Sequence, residues 1–255
     1  MKKTRFLLFT LLLLSTGTLN AQSAETGFLN RSISLNGAEY RYQVYVPYNY
    51  TAAEEWPVTL FLHGAGERGS DGLKQTQVGL GRAIRLNPGR WQTLAVFPQV
   101  PAGESWQGVA GDVAMAALDV TIAEFSVDAE RLYLTGLSLG GNGTWYLGYH
   151  HTELFAAMVA VCGFVDFGDR FPEFLPEAEN SFAALAEDLS DTPVWIVHGD
   201  ADVVVPVEQS RKMAAALEAV GTDIHYTELP GVNHNSWDAA YANSDLISWL
   251  FDQKL

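Results

Sequence analysis

Apolar residues along this chain fall into short unbroken runs separated by stretches with helical spacing. Val58-Thr59-Leu60-Phe61-Leu62, Leu94-Ala95-Val96-Phe97 (within 91–97), Leu132-Tyr133-Leu134 and Val194-Trp195-Ile196-Val197 are too short for helices. They are too continuously apolar for strands with one wet face, so they predict strands buried on both faces of a parallel sheet. Between them, Val113, Ala117, Val120 and Phe125 predict an amphipathic helix over 109–125. Met213, Ala216, Leu217 and Val220 predict a second over 207–220, and 237–250 reads as a closing helix. Ile224 to Leu229 predicts the last strand.

The pattern changes near the start of the chain. Tyr40, Tyr42, Val44 and Val46 alternate with Arg41, Gln43 and Tyr45, and Asn36-Gly37 separates this stretch from Ile33-Ser34-Leu35. Alternation on both sides of Asn-Gly predicts an antiparallel hairpin at the sheet edge, with one face in water. The rhythm also breaks over 164–190, where Phe164, Phe167, Phe171, Phe174 and Phe182 sit among acids and two prolines. The predicted architecture is α/β: a mostly parallel central sheet flanked by helices, with an antiparallel N-terminal hairpin. It forms one domain over 22–255, with 163–190 as an insertion that caps the site.

Residues 1–21 stand apart. Lys2, Lys3 and Arg5 precede an apolar run from Phe6 to Leu14, and small and polar residues follow as far as Ala21. That layout predicts a signal peptide cleaved near Ala21, and its apolar run is too short to span a membrane comfortably. Removing it takes three positive charges from a chain of net charge −15 and leaves −18. So acidic a surface excludes nucleic acid as a partner, and an anionic membrane surface as well. Cys162 is the only cysteine, which excludes an internal disulfide, and its place at the end of Ala156–Val161 predicts a small buried hydrophobe.

Candidate chemistry begins at Gly136-Leu137-Ser138-Leu139-Gly140, a G-x-S-x-G sequence between the Leu132 strand and a helical pattern opening at Trp145-Tyr146-Leu147. A strand that reverses into a helix in so few residues strains the serine backbone and lifts its hydroxyl clear. The flanking glycines allow close approach, and the helix aims free N–H groups at developing negative charge. Ser138 is the candidate nucleophile. The loop His63 to Gly72 leaves a buried strand with four glycines. It predicts a backbone donor for an oxyanion, assigned to the N–H of Ala65 (Gly66 as substitute) together with that of Leu139. His63 is read as a residue that holds this loop, and Glu67 and Arg68 as a pair or a closing element. Asp200 and Asp202 both follow the Val194 strand where an orienting carboxylate belongs. Asp202 is preferred, being deeper in the loop and braced by Val203-Val204-Val205-Pro206. His234, in a polar loop after the last strand, completes the order serine, acid, histidine. Trp106, Trp145 and Trp237 are candidate substrate contacts. His150 and His151 are adjacent, so on a helix they diverge by about 100° and cannot chelate one metal. No metal or organic cofactor is expected.

Four segments carry a resemblance: Leu62 to Gly69, Thr135 to Gly141, His198-Gly199-Asp200-Ala201-Asp202 with Val205-Pro206, and Asn233 to Trp237. Together they resemble the α/β-hydrolase superfamily. The likeness is to secreted bacterial esterases of the dienelactone hydrolase and polyhydroxybutyrate depolymerase neighbourhood, many labelled predicted peptidases. The resemblance implies Ser138 as nucleophile, Asp202 as acid and His234 as base. Serine rather than cysteine at 138 departs from the dienelactone hydrolases themselves. The expected activity is hydrolysis of carboxylic esters, of small molecules or linked to polysaccharide (short-chain, acetyl or feruloyl), by an exported enzyme. A serine peptidase and a non-catalytic binding protein on the same scaffold are the alternatives.

Overall fold

The computed structural model describes residues 25–168, 175 and 178–255. The predicted signal peptide, and Phe171 and Phe174 of the aromatic stretch, lie outside the described residues. Eight strands form one sheet in the order β1-β2-β4-β3-β5-β6-β7-β8. They are β1 (Gly27–Leu35), β2 (Ala38–Val46), β3 (Trp56–Leu62), β4 (Leu94–Pro98), β5 (Val127–Leu137), β6 (Ala157–Val161), β7 (Val194–Gly199) and β8 (Ile224–Leu229). β1 and β2 pair antiparallel, as do β2 and β4, and every other pairing is parallel. The helices are α1 (Gly79–Leu86), α2 (Val109–Glu124), α3 (Leu139–His150), α4 (Ser181–Asp188), α5 (Glu208–Val220), α6 (Trp237–Ala242) and α7 (Ser244–Asp252). Two apolar clusters, one on each face of the sheet, make the core. Val58, Leu60, Leu62, Leu134 and Ile196 meet α2, α3 and α5 residues on one side. Phe61, Tyr133, Val159 and Val197 meet α1, α6 and α7 residues on the other. Burial of each such aliphatic or aromatic side chain is worth about 1.5–3 kcal/mol, and this double covering is why the runs are continuous rather than alternating.

Three expectations need correction. The hairpin forms at the sheet edge, with Asn36 and Gly37 both at positive φ as its two-residue turn demands, but β2 has no wet face beyond Arg41. β4 pairs with Tyr42 to Tyr45, and from Tyr42 onward every residue of β2 is buried on both faces; β1 is the edge. Val120 does not face the core. It is exposed on α2, where alanines and glycine on nearly every side weaken the periodicity. The closing helix is two helices, because the Asn243 side chain accepts from the N–H groups of Asp245 and Leu246 and starts α7 afresh.

Candidate active site

The carboxyl ends of β3, β5 and β7 and the loop after β8 meet at one place. Ser138 occupies the turn between β5 and α3, with φ 54° and ψ −115°. A non-glycine residue in that conformation stores on the order of 1–3 kcal/mol of strain. Glycines on both sides make the turn sterically feasible. A Cβ on Gly136 would lie 2.2 Å from the Gly140 carbonyl oxygen, and one on Gly140 would lie 1.9 Å from that of Leu62. α3 therefore begins at Leu139, six residues before the predicted start. Its first N–H groups have no intrahelical acceptor and face the serine end of the helix.

His234 Nε2 lies 2.9 Å from Ser138 Oγ, and His234 Nδ1 lies 2.7 Å from Asp202 Oδ2. A carboxylate at Nδ1 fixes the proton on that nitrogen and leaves Nε2 bare toward the serine. The Asp202 side chain is fully buried, whereas that of His234 is 19% exposed. Burial pushes the Asp202 carboxyl up, but the hydrogen bond from His234 and the N–H groups of Val205 and Val204 outweigh it. The net result is a carboxyl below its ordinary range. Those amides lie 2.9 and 2.7 Å from Asp202 Oδ1. Asn233 Oδ1 accepts from the N–H of His234 and of Val203, which ties the histidine loop to the acid loop. Asp200, the other candidate acid, is exposed and accepts the Gly231 N–H at 2.6 Å.

The loop after β3 packs against the serine turn. A Cβ on Gly64 would come 2.8 Å from Leu137 Cδ1, and one on Gly140 would come 2.8 Å from the His63 carbonyl oxygen. Ala65, Gly66 and Glu67 form one 3-10 turn there, with Ala65 and Gly66 exposed. His63 holds the loop, as expected. Its Nε2 accepts the Val100 N–H at 3.0 Å, so Nδ1 carries the proton and donates to the Gly64 carbonyl at 2.6 Å. Burial drives its pKa down to about 4, against the pull of the Gly64 bond. Gln99 closes the far end by donating to Glu67 O and accepting from Gly72 N. Among the described residues Glu67 and Arg68 form no ion pair, which removes the first of their two expected roles; burial pushes the Glu67 carboxyl up.

Of the three tryptophans, only Trp237 reaches the site, its ring 5.5 Å from that of His234 and edge-on. Trp106 is fully buried, donates to His63 O at 3.0 Å, and lies where Gly143 leaves room on α3. Trp145 is 2% exposed in the core. Both are buried packing residues. Cys162 is fully buried, as predicted, with its Sγ within 4.8 Å of the ligand atoms of Asp202 and His234. Burial pushes that thiol up to about 12. His150 ends α3 with its ring against Tyr146, as a C-terminal helix residue.

Sequence reasoning passed over His198. It lies fully buried in β7 with Nε2 3.2 Å from Asp202 Oδ2. Its only local signal is a histidine ending an apolar run before Gly199.

Residues 104–252 match the model of the prolyl oligopeptidase family (Peptidase_S9). The chain belongs to that family. A solved thermostable esterase is 30% identical, with a TM-score of 0.75 over 89% of this chain and 63% of that one. Esterase LipC of Mycobacterium tuberculosis is 27% identical over 70% of this chain and 52% of its own length. An uncharacterized secreted protein of Arthroderma benhamiae is 27% identical over 78% of this chain and 23% of its own length. The chain thus spans from about a quarter to about half of those two curated relatives. The fold is that of the α/β-hydrolases, and the family is one of serine hydrolases that includes esterases and peptidases. Among the described residues no helix is long and apolar enough to cross a membrane.

Proposed function

We propose that this protein hydrolyses carboxylic esters through an acyl-enzyme formed on Ser138. The observation that carries the reading is the unbroken contact from Ser138 Oγ through His234 to a buried Asp202 at a strained strand-to-helix turn. In the first half-reaction His234 Nε2 takes the Ser138 proton as Oγ adds to the ester carbonyl. The N–H groups of Leu139 and Ala65, or of Gly66 in its place, receive the oxyanion, and His234 then protonates the departing alkoxide. In the second, water gives its proton to His234 and adds to the acyl carbon, and His234 returns that proton to Ser138 Oγ as the acid is released.

Esters are favoured over peptides because LipC and the thermostable esterase are both named as esterases. Short acyl groups, including acetyl esters on polysaccharide, fit better than feruloyl groups. Of the three candidate tryptophans, Trp106 and Trp145 lie in the core and Trp237 offers the aromatic wall. The basic, apolar and small-residue start of the chain supports export, with 22–255 as the working domain and 163–190 as its cap.

The test is turnover of p-nitrophenyl acetate and butyrate, acetylated xylan, methyl ferulate and aminoacyl anilides by the purified protein. Wild type should turn over the short esters fastest. Ser138→Ala should lower kcat by about 10⁴–10⁶-fold with the fold unchanged, and a fluorophosphonate probe should label wild type alone. Preferential cleavage of the anilides would replace the ester reading with the peptidase one. Absence of both turnover and label would leave a binding protein.

A further inference from the structure

Asp202 is held between two imidazoles. His234 approaches Oδ2 from the solvent side at 2.7 Å, and His198 approaches the same oxygen from the core at 3.2 Å. His198 Nε2 also lies 3.0 Å from the Val205 carbonyl oxygen. Both neighbours of Nε2 are acceptors, so the proton sits on Nε2. That leaves Nδ1 bare, and Ser210 Oγ, 2.6 Å away on α5, donates to it. Ser210 is 4% exposed and His198 fully buried, so water does not compete for either bond. The imidazole is therefore locked in one tautomer and one orientation by a strand, a helix and a carbonyl. Among the described residues, the other donors to Asp202 belong to its own loop or to His234, and His198 is the one that fastens the carboxylate to the sheet.

We propose that His198 is a positioning residue of this site: its Nε2–H fixes the direction of the Asp202 carboxylate and shares the charge of the oxygen that orients His234. The inference rests on the hydrolase reading given above. Two effects follow from one bond. A fixed carboxylate keeps the His234 ring aimed at Ser138, and a shared oxygen holds the proton on His234 less tightly than an unshared one would. The charged or titratable groups around His198 are Asp202 and His234 in the site, Glu228 opposite it on β8 with Arg211 clamped to that carboxylate, and Cys162 beyond Asp202. Burial lowers the His198 pKa against the pull of Val205 and Asp202, which agrees with a neutral donor.

Two substitutions separate this role from packing. In His198→Gln the amide nitrogen reaches the place of Nε2 and can donate to Asp202. In His198→Asn it stops near the place of Nδ1 and cannot. With p-nitrophenyl butyrate, His198→Asn should lower kcat about tenfold or more, the worth of one hydrogen bond to a charged group, with KM little changed. It should also move the low-pH limb of kcat/KM to higher pH. His198→Gln should restore both. A readout that needs no substrate is the low-field proton resonance of the His234–Asp202 hydrogen bond, which should move in the Asn variant and return in the Gln variant. Should the Asn variant not fold, Ser210→Ala, which frees one end of the imidazole, should shift the same resonance and lower kcat about threefold. If the resonance, kcat and the limb are the same in all variants as in wild type, His198 only packs. A kcat that falls together with thermal stability and is not restored by glutamine has the same meaning. A wild type that turns over no ester would sink the hydrolase reading, and the resonance would still decide for or against His198.

Discussion

Two exits from the parallel sheet carry the same dipeptide, His63-Gly64 after β3 and His198-Gly199 at the end of β7. Both histidines are fully buried and neutral, with pKa values driven down by burial. Their partners differ. His63 spends both nitrogens on backbone, Gly64 O and Val100 N, and so shapes a loop. His198 spends one nitrogen on a side chain of the candidate triad and the other on a serine that fixes its tautomer. The β3 exit thus presents amides whose direction is set by loop shape, which suits a donor to an oxyanion. The β7 exit presents a carboxylate, which needs fastening by side chains because a rotatable group has no backbone to fix it.

The glycines sharpen the contrast. A Cβ on Gly199 would lie 2.1 Å from the Val232 carbonyl oxygen and 2.8 Å from that of Asn233, both backbone atoms of the loop that carries His234. A Cβ on Gly64 would meet the ends of two movable side chains, Leu137 Cδ1 at 2.8 Å and Glu67 Oε2 at 3.1 Å. Gly199→Ala should therefore cost about 3 kcal/mol or more, and Gly64→Ala about 1 kcal/mol, as read from urea midpoints. The β7 exit is the more rigidly packed of the two. Equal costs would break the comparison.

The buried histidines also set how the fold responds to acid. His63 has a folded pKa of about 4 against an ordinary 6.5, so the unfolded chain binds the proton first. The stability from keeping it neutral is complete above the unfolded value and drains as pH falls toward the folded one. Over the span from pH 7 to about 4.5 the loss from His63 alone is about 2.5 kcal/mol, and His198 adds in the same direction. His63→Gln should flatten the fall in urea midpoint over that span relative to wild type, from a lower starting stability. A fall as steep in the variant as in wild type would mean that His63 is not held neutral.

The large features were legible because they follow from local chemistry. Continuous apolar runs ended by glycine or proline mark strands covered on both faces; Ser138 and Asp202 follow such runs, His234 follows the partly exposed β8, and the three stand in the one order that brings them together. What was not legible depends on partners distant in the chain. A tryptophan in a loop reads alike whether it lines a groove or fills a core. Trp106 fills the core because Gly143, thirty-seven positions on, has no side chain where the indole lies. His198 has no local pattern either, since its role depends on Ser210 on the following helix. The break at Asn243 was available, because asparagine before Ser244-Asp245 is a helix start, and unbroken periodicity from Trp237 to Leu250 obscured it.

Asp200 and Asp202 differ least in sequence, and substitution of Asp200 gives the smallest expected effect. Both follow β7, and only contact geometry distinguishes them: Asp202 is buried on His234 and His198, whereas Asp200 is exposed and caps the Gly231 N–H. Asn at 200 keeps an oxygen for that amide and removes only a solvated charge. Asp200→Asn should thus leave kcat for p-nitrophenyl butyrate within about threefold of wild type and stability within about 0.5 kcal/mol. Asp202→Asn would present a donor amide or a wrong tautomer to His234, at a cost of about 10⁴ in kcat. A large loss at 200 with little at 202 would transfer the orienting role to the outer carboxylate and require the β7 loop to rearrange before the imidazole could be held.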